Sequence, residues 1–174
     1  RKRARELPKH GDAGEVRQLA SLFLDLQVRL ALVEAQAARS PDDLTVPATW
    51  DALADQLGRR ALARVTFVRK DGVVIGDSEV PTVDLGGVEN HGERPAVLAA
   101  LHGEKGFAVR NSATVGQRMM YVAAPSSRGS EIIGVARLAK PLADVDTAIL
   151  RMRRSLAFGL LVALLVAVAM SSTA

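Results

Sequence analysis

The chain has 174 residues, one domain's worth, with 23 Lys and Arg against 19 Asp and Glu and a net charge of +4. Aromatic residues make up 3% of it, too few for the stacking platforms of single-strand binders. No zinc-finger spacing or basic recognition helix occurs either, which sets nucleic-acid binding aside. With no cysteine, a disulfide framework and a thiolate metal site are both excluded.

Residues 1–13 form a basic, membrane-proximal lead-in, with RKRAR at 1–5 followed by Pro8 and the turn-like HGDAG. Residues 14–61 read as helices. In the first, Val16, Leu19, Phe23, Leu26, Leu30, Val33 and Ala37 alternate spacings of three and four, a heptad seam expected to meet a partner helix in a homodimer. A second apolar line, Leu24, Val28, Leu32 and Ala35, flanks it. One line can cover a sheet while the other meets the partner, or both can be buried within one subunit. SPDDLTVP at 40–47 is a loop, and Trp50–Ala61 is a short amphipathic helix.

Residues 62–140 change to strand periodicity. RVTFV (64–68) and VVIGD (73–77) flank RKDG, a hairpin turn in which Gly72 supplies a positive φ. A polar loop, 79–93, contains ENHGER. Pro95 opens a short helix that Gly103 closes. GFAVRNS (106–112), MMYVAA (119–124) and EIIGVARLA (131–139) supply three more strands. Five strands joined by short loops predict an α+β fold with a mostly antiparallel sheet.

From Pro141 the pattern is helical again, with Leu142, Val145, Ile149, Met152 and Leu156 three and four apart. Residues 141–154 are therefore a candidate signalling helix that runs straight into 155–174. That last segment, SLAFGLLVALLVAVAMSSTA, carries no charge and at about 30 Å suits a transmembrane helix in contact with lipid. The chain opens on Arg1 and stops within this apolar run, so it reads as part of a longer protein. RMRR at 151–154 taken alone would place residues 1–154 on the cytoplasmic side. That rule weighs both flanks, however, and charge leaves the topology open.

The ordered set Asp77-Ser78, Glu89-Asn90-His91, Arg94-Pro95, Arg110, Ser112-Ala113-Thr114, Met120-Tyr121-Val122 and Gly134 to Leu138 resembles the extracytoplasmic sensor region of bacterial sensor histidine kinases. The resemblance is to those related to the phosphate-regulon (alkaline phosphatase synthesis) kinases, over roughly residues 64–170. It implies a PAS-like fold of the PDC or Cache kind, held between two spans of the bacterial inner membrane on the periplasmic side. It also implies a homodimer, a cytoplasmic kinase core beyond this chain and a response regulator as that core's partner. A phosphate signal does not follow from the family name, since related sensor regions can respond to partner proteins.

The chain itself carries no catalytic motif. His10, His91 and His102 are its histidines, none in an HExxH spacing, and neither a GxSxG elbow nor a Walker loop is present. No metal or cofactor is therefore expected. For ligand binding the candidates are Arg110, Tyr121, Arg137, Asn90, His91, Arg94, Asp77 and Ser78. A turn at Val115-Gly116 would set Arg110 opposite Tyr121, on a mixed face shared with Ala108, Ser112 and Met119. The other face, with Phe107, Val109, Met120 and Val122, suits the long helices. Arg137 joins the mixed face if the last hairpin keeps its register. The 79–93 loop could close over that face as the lid of a pocket for a small ligand, an anion among the candidates, or Asp77 and Arg94 could form an ion pair that only fixes the loop. Alternatives for the whole are a dimerisation or protein-interaction module that reads another membrane protein and takes no small ligand, and the sensor of a chemoreceptor or nucleotide cyclase.

Overall fold

The computed structural model describes residues 13–39, 46–112, 116–142 and 158. Of the expected signalling helix, 141–154, Pro141 is strand and Leu142 a turn instead; the rest of it and the membrane span at 155–174 lie outside the described residues, apart from Phe158. Among the described residues no helix is long and apolar enough to cross a membrane.

Helix α1 runs Ala13–Ala37 and α2 Pro47–Ala61. The strands are β1 Arg64–Arg69, β2 Val74–Asp77, β3 Gly106–Asn111, β4 Arg118–Arg128 and β5 Glu131–Pro141. A 3-10 turn, Thr82–Gly87, and helix α3, Pro95–Leu101, lie between β2 and β3. The sheet order is β2-β1-β5-β4-β3, and every described pairing is antiparallel.

Strand alternation sends side chains to two cores. Val65, Phe67, Met120, Val122, Ala136 and Leu138 meet α1 and α2 on one face. Val68, Val74, Met119, Tyr121, Ala123, Val135 and Ala139 meet α3 and the 3-10 turn on the other. Period two is thus enough to separate a helix-packed face from the face that carries Tyr121 and Arg137.

The two apolar lines of α1 differ in burial. Leu26, Leu30 and Val33 are buried against the protein's own sheet, and Leu19 and Phe23 pack onto the same core. Phe23 meets Phe107 edge-on, with ring centroids 5.1 Å apart. Six of the seven residues of that seam, Ala37 included, therefore belong to the protein's own core; the seventh, Val16, is exposed. The flanking line, Leu24, Val28 and Leu32, stands at 63%, 65% and 67% exposure. Heptad spacing reveals an apolar face and does not say what covers it.

Two boundaries move for local reasons. Helix α2 begins at Pro47, three residues before the expected start, because proline suits a first helical turn whose N–H groups have no helical partner. Arg29 donates to the carbonyl of Ala61, capping the other end of α2 from α1. PSSRGS, expected as a loop, mostly continues β4, and the chain turns only at Gly129-Ser130 between paired Arg128 and Glu131. Pro125 is tolerated there because β3 pairs with β4 only as far as Ala123, so no neighbour awaits its missing N–H.

Candidate functional site

The site lies on the face of β3, β4 and β5 beneath the start of α3. Helix α3 sits close because Gly106 has no side chain: a Cβ there would stand 1.8 Å from the carbonyl oxygen of Ala96. Arg94, Pro95 and Ala96 form the roof of a small inner cavity, and Ala108, Arg110, Tyr121 and Arg137 form its floor. The cavity holds about 10 Å³, room for about one water molecule. An outer cleft of about 480 Å³ shares Arg94, Pro95 and Arg110 with it and adds Glu89, Asn90 and Glu93, a size within the range of small-molecule sites.

Tyr121 is the centre of the floor. The Arg137 guanidinium lies 5.1 Å from its ring centroid and that of Arg110 5.6 Å. The β3–β4 pairing differs from the expected one: Tyr121 faces Ala108, and Arg110 faces Met119. The connecting loop closes through Ser112 N–H to the Gln117 carbonyl at 2.8 Å, which centres the hairpin one residue earlier than Val115-Gly116. The slip has even parity, so Arg110 and Tyr121 remain on one face. Arg137 also keeps that face, in register with Thr66 and Ala123.

Beneath the floor runs a polar chain. Arg137 donates to Thr66 Oγ1 at 3.2 Å, Thr66 donates to Asp77 Oδ2 at 2.8 Å, and Arg64 Nε donates to Asp77 Oδ1 at 2.8 Å. The Glu79 N–H adds a bond to Asp77 at 3.0 Å. The Asp77–Arg94 ion pair considered from sequence is absent among the described residues. Asp77, fully buried, pairs with Arg64, while Arg94 pairs with Glu89 at 2.9 Å. The sequence reading missed Arg64 and Thr66. Their signal was a Thr in the apolar run of β1, at a position whose alternation puts it beside Arg137.

Three buried nitrogens find no hydrogen-bond partner among the described residues: Arg137 Nε, Arg94 Nε and His91 Nδ1. Burial, with Arg94 adding repulsion, lowers the Arg137 pKa to about 10, so it stays a cation at neutral pH. Burial, with Arg137 and Arg94 nearby, lowers that of His91 to about 3, leaving the ring neutral. Burial and Arg110 also lower that of Arg94.

The remaining candidates hold the frame. Asn90 donates to the Asp71 carbonyl at 2.9 Å and accepts from the Gly92 N–H at 2.8 Å, while the His91 N–H bonds the Gly72 carbonyl at 2.8 Å. ENHG is thereby tied to the β1–β2 turn. Ser78 Oγ accepts from the Val65 N–H at 3.0 Å and lines neither cavity.

No family model matches the sequence, and no curated protein matches it. Solved structures do share its fold. The sensor domain of the V. cholerae histidine kinase DctB superposes with a TM-score of 0.59 at 18% identity, over 76% of this chain and 55% of that one. The ligand-binding domain of the Campylobacter jejuni chemoreceptor Tlp3 with L-valine gives 0.57 at 14%, over 75% and 55%. That of the Pseudomonas fluorescens chemoreceptor CtaA with L-alanine gives 0.58 at 13%, over 75% and 56%. The chain spans a little over half the length of these domains. The chain shares its fold with these sensor and ligand-binding domains.

Proposed function

We propose that the chain is the extracytoplasmic sensing part of a two-component sensor histidine kinase, taking a small molecule between α3 and the Tyr121–Arg137 floor. The observation that carries this reading is Arg137, a buried cation on the cavity floor whose Nε has no partner among the described residues. A group of that kind is costly unless something completes it. The likeness to the DctB sensor domain and the ordered motifs resembling phosphate-regulon kinases support a kinase output. In this reading the domain is a homodimer, residues 155–174 cross the membrane, and ligand closure of α3 and the 79–93 loop moves the helix that follows Pro141. A kinase core beyond the chain then acts on a response regulator.

A second reading, the sensor of a chemoreceptor, is favoured by the likeness to the Tlp3 and CtaA domains. Joining residues 1–174 to a kinase core and to a chemoreceptor signalling domain tests the two. Ligand-dependent output that Arg137→Met removes is expected from the kinase chimera, and output from the receptor chimera alone would overturn the kinase reading. Location is tested separately, because the chain has no cysteine. Ser130→Cys at the exposed hairpin tip is expected to react with a membrane-impermeant maleimide on intact spheroplasts. Labelling only after lysis would place the domain inside.

A further inference from the structure

Building on the sensor reading, we propose that the buried end of the ligand is a carboxylate or inorganic oxyanion, and that the site rejects ligands with an ammonium on the adjacent carbon. Three guanidiniums, from Arg94, Arg110 and Arg137, line the inner cavity, and no described carboxylate does. Arg137 is 4% exposed, makes one described hydrogen bond, to neutral Thr66, and has its Nε without a partner. Arg94 Nε is likewise buried and unpartnered. The fork of an arginine matches a carboxylate or oxyanion in geometry as well as charge, and a buried cation without a contacting counter-charge is costly.

The acids nearby supply only part of that counter-charge, Asp77 favouring the charged form of Arg137 from a distance. Asp77 is fully buried behind Thr66 and occupied by Arg64, Thr66 and the Glu79 N–H. Glu89 belongs to the outer cleft, where its side chain is 83% exposed and bonded to Arg94. Glu93 lines the same cleft and is exposed. An α-amino acid carries its ammonium one carbon from its carboxylate. Seating that carboxylate against Arg137 would bring the ammonium among the Arg94 and Arg110 guanidiniums, where no inner-cavity carboxylate can accept it. The inner cavity, with the space of about one water molecule, takes a single oxygen of the anionic head, the remainder lying against Arg94 and Arg110 where the outer cleft begins. The rest of the ligand belongs in the outer cleft.

Propionate and L-alanine share a carbon skeleton and differ by the ammonium, so they form the decisive pair, with sulfate as the inorganic arm. The full chain in nanodiscs, at matched chloride, is titrated by calorimetry and followed by its thermal unfolding midpoint. Propionate or sulfate is expected to bind at least about tenfold tighter than L-alanine and to raise the midpoint. Preference between the two tells a carboxylate head from an oxyanion. Arg137→Met is expected to abolish binding, and Arg110→Gln, at the half-buried rim, to weaken it about tenfold while leaving the fold intact. L-Alanine binding as tightly as propionate overturns the inference and leaves the sensor reading standing, with Glu93→Gln then showing whether that acid holds the ammonium. Anion binding that Arg110→Gln leaves unchanged also overturns it, as does the absence of binding by all three. The chimera and labelling experiments judge the sensor reading independently of these results.

Discussion

Arg137 lies over Tyr121, its guanidinium 5.1 Å from the ring centroid. The ring face supplies negative potential to a cation that no described carboxylate touches, an arrangement worth about 0.5–2 kcal/mol. Tyr121→Phe keeps that face and is expected to change stability by less than about 0.5 kcal/mol. Tyr121→Leu removes it and leaves a partly filled space under α3, for an expected loss of about 2 kcal/mol. Urea unfolding of both variants checks this, and equal losses would assign the effect to the hydroxyl, which both variants lack.

The two ion pairs near the site should differ sharply in worth. Asp77 is buried and serves Arg64, Thr66 and a backbone N–H, so Asp77→Ala strands buried partners and is expected to cost about 3–5 kcal/mol. Glu89→Ala breaks a pair whose carboxylate side chain is 83% exposed, and a loss below about 1 kcal/mol is expected. Denaturation midpoints measured side by side would separate the structural pair from the rim pair.

Gly72 combines φ +85° with a neighbour at close range, since a Cβ would meet Asn90 Oδ1 at 2.0 Å. Gly72→Ala is expected to destabilise by more than about 1 kcal/mol, through the left-handed backbone and the displaced amide together. Asn90→Ala alone should cost about 1 kcal/mol. In a double-mutant cycle the two losses should fall short of their sum, because both loosen the same tie between the hairpin turn and the lid.

What the sequence made legible follows from period and chemistry. Alternation put Tyr121, Arg110 and Arg137 on the face away from α1, and Gly72 marked its turn. The partners of the charged groups were not legible. Choosing Arg64 over Arg94 for Asp77 depends on the β1–β2 register, in which Asp77 lies beside Thr66. Nor could spacing show which stripe of α1 faces inward, because both stripes carry large aliphatic residues and only the sheet below distinguishes them. The close approach of Gly106 to Ala96, which brings Arg94 over the floor, joins residues whose contact no local pattern announces.

His91 gives the fold a pH dependence. Its pKa falls from 6.5 in the unfolded chain to about 3 in the folded one, through burial and then Arg137 and Arg94. Between those values the unfolded chain binds more protons, so stability rises with pH across the window. The contribution is complete above about pH 6.5 and is lost as pH falls toward 3. A decline of at most about 1.4 kcal/mol per pH unit is expected between pH 6 and 5, where the carboxylates remain largely ionised. His91→Gln should flatten it. A wild-type slope unchanged in that variant would assign the decline to other groups.

The homodimer belonging to the proposed function needs a surface, and α1 offers one that the protein's own sheet does not use. Leu24, Val28 and Leu32 succeed one another at four-residue steps, each more than 60% exposed, so they lie along one side of the helix. A second α1 laid against them would remove three large aliphatic side chains from water. Leu24→Asp combined with Val28→Asp is expected to shift the chain from dimer to monomer in sedimentation equilibrium. Its unfolding midpoint at low concentration should stay nearly the same, because neither side chain touches the core. Leu30→Asp is the contrasting control: that residue is fully buried, and an unpaired carboxylate there should unfold the domain whatever its assembly. A double variant that remains dimeric would put the interface elsewhere on the molecule.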